Sequence, residues 1–400
     1  MKKIDIAVGI PSYNEMEKIF RVVRNVDEGL EKYFDKEKAI IINTDSYSTD
    51  DTKKIFLDTP TLSFKKYIST PLKKRGKGSG VLNFFKEMDR LGAKAGMITD
   101  ADIKSGTPEW VKCLINPALR GYDLVAPIYH RHKHDGTITN HICFPLVYGL
   151  YGKKIRQPIG GEFGFSKRLI KYLLKQKWPD SALKFGVDIF LTTKAIEGGF
   201  KICQVDLGVK NHNPSLPKLK KMSLEVTETL FKNIVKSKKM WLKKIKKDSV
   251  PKICKTGQKI NYSKFKIDIK KVSKHEDIDM KSWTKIVYDT IYKYDKSGNN
   301  KKVLKNFIPL YLARSKTFIK ETETMSQERA EKEIIKQAEH FYKHRNYLLK
   351  KYEKIIDKSG VQFFHRFGMS LNEKFSGGNL FAHKNIKRAI GLFRVVNINL

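Results

Sequence analysis

Two spacings of apolar residues alternate along the first two hundred positions. Ile4 to Ile10, Ala39 to Asn43, Leu62 to Ser69, Gly96 to Thr99 and Leu124 to Ile128 are short apolar runs with the length of buried strands. Between them, Ile19, Val22, Val23, Val26, Leu30 and Tyr33 fall on one helical face. Val81, Leu82, Phe85, Met88 and Leu91 make a second such face. Strands that alternate with helices predict βαβ units on a mainly parallel sheet, hence an α/β fold. Asn14, with Glu17 three residues on, has the pattern of a capping box opening the first helix.

Beyond residue 213 the pattern turns helical. Leu219, Met222, Val226, Leu230 and Ile234 form one stripe, and Trp283, Ile286, Val287, Ile291 and Tyr294 another. A third runs through Ala330, Ile334, Ala338 and Phe341 to Leu348, Leu349 and Tyr352. These are the core faces of amphipathic helices, and the polar stretch 248–280 reads as a loop or linker. The chain therefore divides into an α/β unit, 1–213, and a mainly helical unit, 214–400.

Charge adds a question about partners. The net charge is +38, and residues 214–400 carry 44 Lys and Arg against 18 Asp and Glu. Such an excess suggests nucleic acid or an anionic membrane surface. However, 66 of the 80 basic residues are Lys and only 14 are Arg, the side chain suited to bidentate phosphate contacts. No nucleic-acid partner is expected on that balance, a membrane surface stays open as an alternative, and self-association is compatible with the composition. No apolar run reaches the roughly 18 residues of a membrane span; the late run Ala389 to Val396 is interrupted by Arg394. Ile4 to Ile10 is too short for a signal peptide. Cys113, Cys143, Cys203 and Cys254 stand singly, without C-x-x-C spacing, which argues against zinc and disulfides and for a reduced, cytoplasmic compartment.

The candidate chemistry sits where strands end. In open α/β sheets ligands bind beyond the carboxyl ends of the strands, and there the polar clusters Pro11–Glu15, Asp45–Asp51 and Asp100–Asp102 fall. Asp100 and Asp102, one residue apart after a strand, either face one hard divalent cation such as Mg²⁺ or Mn²⁺ or form an Asx-type turn. Asp45 and Glu15 could accept from a base or ribose. Lys77, in the Gly-flanked stretch Lys73–Gly80, could meet a diphosphate. A Walker P-loop and a dinucleotide fingerprint are both absent.

Taken in order, Ile10-Pro-Ser-Tyr-Asn-Glu15, Asp45-Ser-Tyr-Ser-Thr-Asp50, Lys77-Gly and Asp100-Ala-Asp102 resemble the nucleotide-sugar half of a GT-A glycosyltransferase. Gln157-Pro-Ile-Gly-Gly-Glu-Phe163, Gly186-Val-Asp188 and Val209-Lys-Asn-His212 are similar to mannosylglycerate synthase and glucosyl-3-phosphoglycerate synthase. The resemblance covers residues 4–213 and implies a GDP- or UDP-hexose donor bound by Pro11, Glu15, Asp45, Lys77, Asp100, Ala101, Gly160 and Gly161. It implies a divalent metal, Mg²⁺ or Mn²⁺, on Asp102 and His212. Glu162 is expected to bond the transferred sugar. Asp188 either faces the acceptor or caps the following helix.

The families resembled retain anomeric configuration. They bind a small acidic acceptor, of glycerate or phosphoglycerate type, through an Arg and a Thr that correspond to Arg131 and to Thr137 or Thr139. A polysaccharide or lipid acceptor, or a nucleotide-binding module with a basic helical partner surface, are the competing expectations.

Overall fold

The computed structural model describes residues 4–34, 38–211, 218–242, 245–257 and 276–356, with side chains of the last helix described as far as residue 347. Seven strands of an eight-stranded sheet come from the first 209 residues: β1 (Ile6–Ser12), β2 (Ala39–Asp45), β3 (Phe64–Ser69), β4 (Ala95–Ile98), β5 (Leu124–His130), β6 (Phe163–Ser166) and β7 (Ile202–Val209). β8 (Lys252–Lys255) completes it, and the order across the sheet is β3-β2-β1-β4-β6-β5-β7-β8. Only β6 runs antiparallel to its neighbours; the other pairings are parallel. The expected mainly parallel α/β architecture is therefore present.

β1 shows why both faces must be covered. Ile6, Val8 and Ile10 point to one face, where they pack with Val22 and Val23 of α1 (Ile19–Tyr33) and Trp110 and Leu114 of α4 (Pro108–Leu119). Ala7 points to the other, towards Phe84 and Phe85 of α3 (Lys77–Leu91). At Gly9 a Cβ would stand 2.6 Å from the Phe84 ring, so only glycine lets that ring lie on the strand. α2 (Thr52–Asp58) precedes β3. α5 (Phe144–Tyr151), α6 (Lys167–Leu174), α7 (Val187–Glu197) and α8 (Leu219–Lys236) join α3 on its face, and the one-turn α9 (Lys238–Trp241) follows.

α10 (Met280–Lys296), α11 (Asn300–Thr322) and α12 (Gln327–Ile356) form the helical region predicted from the stripes. Trp283, Phe307, Tyr311 and Phe341 share one apolar cluster with Leu146 and Phe190, so the helices build on the sheet's core. The side chains of Leu348, Leu349 and Tyr352, and the run Ala389 to Val396, lie outside the described residues. Among the described residues no helix is long and apolar enough to cross a membrane.

Several expectations are corrected. Asn14 does not cap α1: it sits at φ 53° and exchanges side-chain hydrogen bonds with Thr49, including acceptance from the Thr49 N–H at 2.9 Å. The loops after β1 and β2 are thereby tied together. The 248–280 stretch contains β8, whose mostly exposed side chains give no apolar signal. α11 lacks a counterpart among the predicted stripes, and Pro309 stands inside it, a residue that ordinarily interrupts a helix. Cys113 and Cys254 are joined in a disulfide across 141 residues, with Cα atoms 5.6 Å apart, against the expectation of free thiols. Sequence spacing cannot show this pairing, because β8 is brought to α4 by the sheet edge. Inference of a reduced compartment from scattered cysteines loses its footing.

Candidate active site

The parallel strands end on one line. Ser12 is in register with Asp45, and Asp45 with Ser69. Along that edge lie the segments after β1, β2, β4, β5 and β7, together with the segment leading into the reversed strand β6.

Lys77 is the first residue of α3, following Gly76. Its ammonium stands 2.6 Å from Asp100 Oδ1 and 3.6 Å from Asp188 Oδ1. Burial disfavours the charge, but Asp100, then Asp188, more than offset it and hold Lys77 above the ordinary lysine range. Asp188 lies in the first turn of α7 without capping it. Its Oδ2 accepts instead from the N–H groups of Gly160, at 3.2 Å, and Gly161, at 2.7 Å. Among the described residues no hydrogen-bond partner reaches the buried Oδ1.

Gly161 holds φ 89°, and a Cβ there would lie 2.2 Å from Asp100 Oδ2. The turn between α5 and β6 can pass this close to the carboxylate only because it carries no side chain. Gly160 and Gly161 are thus gathered with Asp100 and Asp188.

Behind that turn is a cation to which sequence reasoning gave no role. Lys210, just after β7, has a side chain 4% exposed. Its ammonium donates to the Gly160 carbonyl at 2.5 Å and to Glu162 Oε2 at 2.7 Å, and lies 3.5 Å from Asp100 Oδ2. Glu162 is fully buried, and also accepts from the Tyr129 hydroxyl and, at 3.2 Å, from the Asp100 N–H. Burial pushes the Glu162 carboxyl upward against the pull of Lys210. The available signal was position: a lysine directly after an apolar strand, two residues before His212.

Other candidates sit differently. Asp45 is fully buried; its carboxylate accepts from Ser12 Oγ at 2.9 Å, Ser48 Oγ at 2.5 Å and the Ser48 N–H at 2.7 Å. It braces the β1 and β2 ends. Pro11 and Ala101 are buried. Glu15 pairs with Lys18 at 2.9 Å, and its carboxyl is raised first by burial and further by the charge of Asp102. Glu15 and Asp102 thus place two carboxylates in electrostatic reach at the mouth of the edge. His212 lies outside the described residues, and among the described residues no three His, Cys, Asp or Glu side chains gather as a metal site.

In the loop after β5, the Arg131 guanidinium lies over the Tyr129 ring, 5.4 Å from its centroid, with Nη1 3.7 Å from Asp135. Its Nε is buried without a hydrogen-bond partner among the described residues. Thr137 is bonded to the Tyr311 hydroxyl, and Thr139 is buried at the start of a π-helical turn, Thr139–Cys143. Of the three acceptor candidates, only Arg131 is adjacent to the Tyr129–Glu162 network.

The sheet edge thus gathers a buried lysine–carboxylate cluster against a glycine turn. Residues 33–230 match the family model described as the GT domain of mannosylglycerate synthase. Over those residues the chain is a nucleotide-sugar-dependent glycosyltransferase domain that resembles that of mannosylglycerate synthase. No curated protein matches it. Among solved structures it is similar to glucosyl-3-phosphoglycerate synthase from Mycobacterium tuberculosis in complex with Mn²⁺, uridine diphosphate and phosphoglyceric acid, at 25% identity, covering 57% of this chain and 78% of that one, TM-score 0.47. The same enzyme in complex with Mg²⁺ and uridine diphosphate matches at 26% identity, covering 57% and 79%, TM-score 0.47. With TM-scores below 0.5, neither likeness assigns a role to any residue.

Proposed function

We propose that the protein transfers a hexose from a nucleoside-diphosphate sugar to a small hydroxy-carboxylate of glycerate or phosphoglycerate type, with divalent metal and with retention. The observation that carries this reading is the Lys77 ammonium held between Asp100 and Asp188 against the Gly160–Gly161 turn.

Sugar transfer breaks the bond between the anomeric carbon and the diphosphate oxygen while the acceptor oxygen bonds that carbon and gives up its proton to the departing diphosphate. Negative charge grows on the departing diphosphate, and a cation placed beforehand stabilises it where it develops. Lys77, at the N-terminus of α3, is that cation; the helix end adds its own positive potential. Donor binding draws Lys77 from Asp100 and Asp188 to the diphosphate. Lys210 still neutralises Asp100, so the network survives the exchange. Asp188 keeps the two glycine N–H groups on Oδ2 and turns Oδ1 to a hydroxyl of sugar or acceptor. With half its carboxylate committed to the backbone, it acts as an orienter more readily than as a nucleophile. Glu162, locked by Lys210 and Tyr129, shapes the floor beneath the sugar.

Asp102, with His212, would hold the metal. Two carboxylates, Asp102 and Glu15, that share one lysine, Lys18, supply oxygen ligands of the kind a hard cation takes. Bound there, a divalent ion would neutralise diphosphate charge. Arg131 supplies a guanidinium fork for the acceptor's acidic group.

Thermal-shift titration with UDP- and GDP-hexoses, with and without Mn²⁺, tests the donor side. A selective, metal-dependent stabilisation that is lost in Asp102→Ala is expected. Stabilisation by neither class of donor would overturn the proposal.

A further inference from the structure

The basic helical region has no role in the site described so far, yet it reaches the loop that carries Arg131 at four separate places. Gln327, first residue of α12, donates its side-chain N–H to the Arg131 carbonyl at 2.7 Å. Two residues on, Lys133 donates to the carbonyls of Thr322, Glu323 and Met325 at 2.8, 2.8 and 2.7 Å. Those carbonyls are the C-terminal end of α11 and the turn after it, where the helix presents unpaired acceptors and negative potential. His134 Nε2 meets Thr322 Oγ1 at 3.0 Å, and Thr137 is bonded to Tyr311.

Loops are ordinarily the most adaptable part of a fold, and this one leaves β5 through a register irregularity after Ile128. Its own internal ties are short-range: the Asp135 N–H donates to the His132 carbonyl at 2.9 Å, and Asn140 donates to the Asp135 carbonyl at 2.9 Å. Neither fixes the backbone of Arg131 itself. That restraint comes from the α11–α12 corner, whose bonds fall on the Arg131 carbonyl and on the residues that follow it and, among the described residues, reach no other residue named in the sugar-transfer cluster. An arginine held by its backbone on one side and by its loop on the other loses little freedom when it pairs with an anion, and this preorganisation is expressed as affinity.

We infer that the α11–α12 corner is a positioning device for the acceptor, with Lys133 and Gln327 as the positioning residues that aim Arg131. The inference deepens the proposed function and rests on its assignment of Arg131 to the acceptor acid. In this arrangement the helical region sets the affinity for the small acid and leaves the donor site alone.

The test is steady-state kinetics on the full chain, with UDP-glucose or GDP-mannose as donor and D-glycerate or 3-phosphoglycerate as acceptor. Lys133→Met, Gln327→Leu and Arg131→Ala are compared. The acceptor KM is expected to rise about tenfold or more in both positioning variants while donor KM stays within about twofold, the signature of lost binding on one substrate only. Lys133→Arg, which keeps a cation on the helix end, should restore most of the affinity. If Lys133→Met does not fold, Gln327→Leu carries the comparison, since it removes one neutral hydrogen bond. Unchanged acceptor KM in the foldable positioning variants, beside a raised value in Arg131→Ala, overturns the inference and leaves the function standing. Equal losses for donor and acceptor mark a general structural role and also overturn it. An unchanged acceptor KM in Arg131→Ala removes the acceptor assignment, and the inference with it.

Discussion

Lys210 Nζ lies 2.7 Å from Glu162 Oε2, a buried lysine joined to a buried glutamate beneath the glycine turn. Removing one member of such a pair strands the other as an uncompensated buried charge, commonly at a cost of about 3–5 kcal/mol. Both members also touch the site, through the Gly160 carbonyl and the Asp100 N–H. Lys210→Met is therefore expected to lower thermal stability and activity together. Adding Glu162→Gln to it should recover more stability than activity, because the double change removes the stranded charge without restoring the turn. Melting temperatures and kcat of the two single variants and the double variant check this.

Gly161→Ala should be damaging for a different reason. The new methyl would be placed 2.2 Å from Asp100 Oδ2, at a φ of 89°. Strain of this kind costs about 1–3 kcal/mol, and it falls on the Asp188–Asp100 cluster. A loss of kcat of at least about tenfold, with secondary structure unchanged by circular dichroism, is expected.

Lys77→Ala is expected to lower kcat more than it raises the donor KM, since leaving-group charge is greatest in the transition state. Loss of a preorganised charge-stabilising group is commonly worth about 10²–10³ in rate. A change confined to KM would show that Lys77 binds ground and transition states alike.

Away from the site, Glu87 gives a pH prediction. Arg90, against some burial and together with Lys66, pulls its carboxyl down from 4.5 to about 2. A depressed carboxylate adds stability that is complete above pH 4.5 and is lost as pH falls through about 2. Acid unfolding of Glu87→Gln should therefore be less steep across that window, with a loss near neutral pH of about 1 kcal/mol or less because Arg90 is exposed.

How much was legible follows from what each feature depends on. Apolar runs and helical stripes report burial directly, so β1 to β5 and α8, α10 and α12 could be read from the chain. Lys77, Asp100, Asp188 and Gly161 were named from separate motifs, Asp100 at a strand end and Gly161 and Asp188 through the family resemblance, and the fold brings them together. Lys210 was not assigned, since one lysine among 66 carries no mark until its neighbours are known. The bonds that Asp45 accepts from Ser12 and Ser48 are likewise set by the approach of the β1 and β2 ends and are not marked in the sequence. β8 and the Cys113–Cys254 bond depend on a tertiary approach that spacing along the chain does not encode.

The most direct test is to identify the product. Incubation with UDP-glucose or GDP-mannose, Mn²⁺, and D-glycerate or 3-phosphoglycerate, followed by mass spectrometry, should yield a hexosyl derivative of the acid that requires both acid and metal. Release of free hexose alone, or transfer only to a polysaccharide or lipid while the small acids are ignored, would contradict the account.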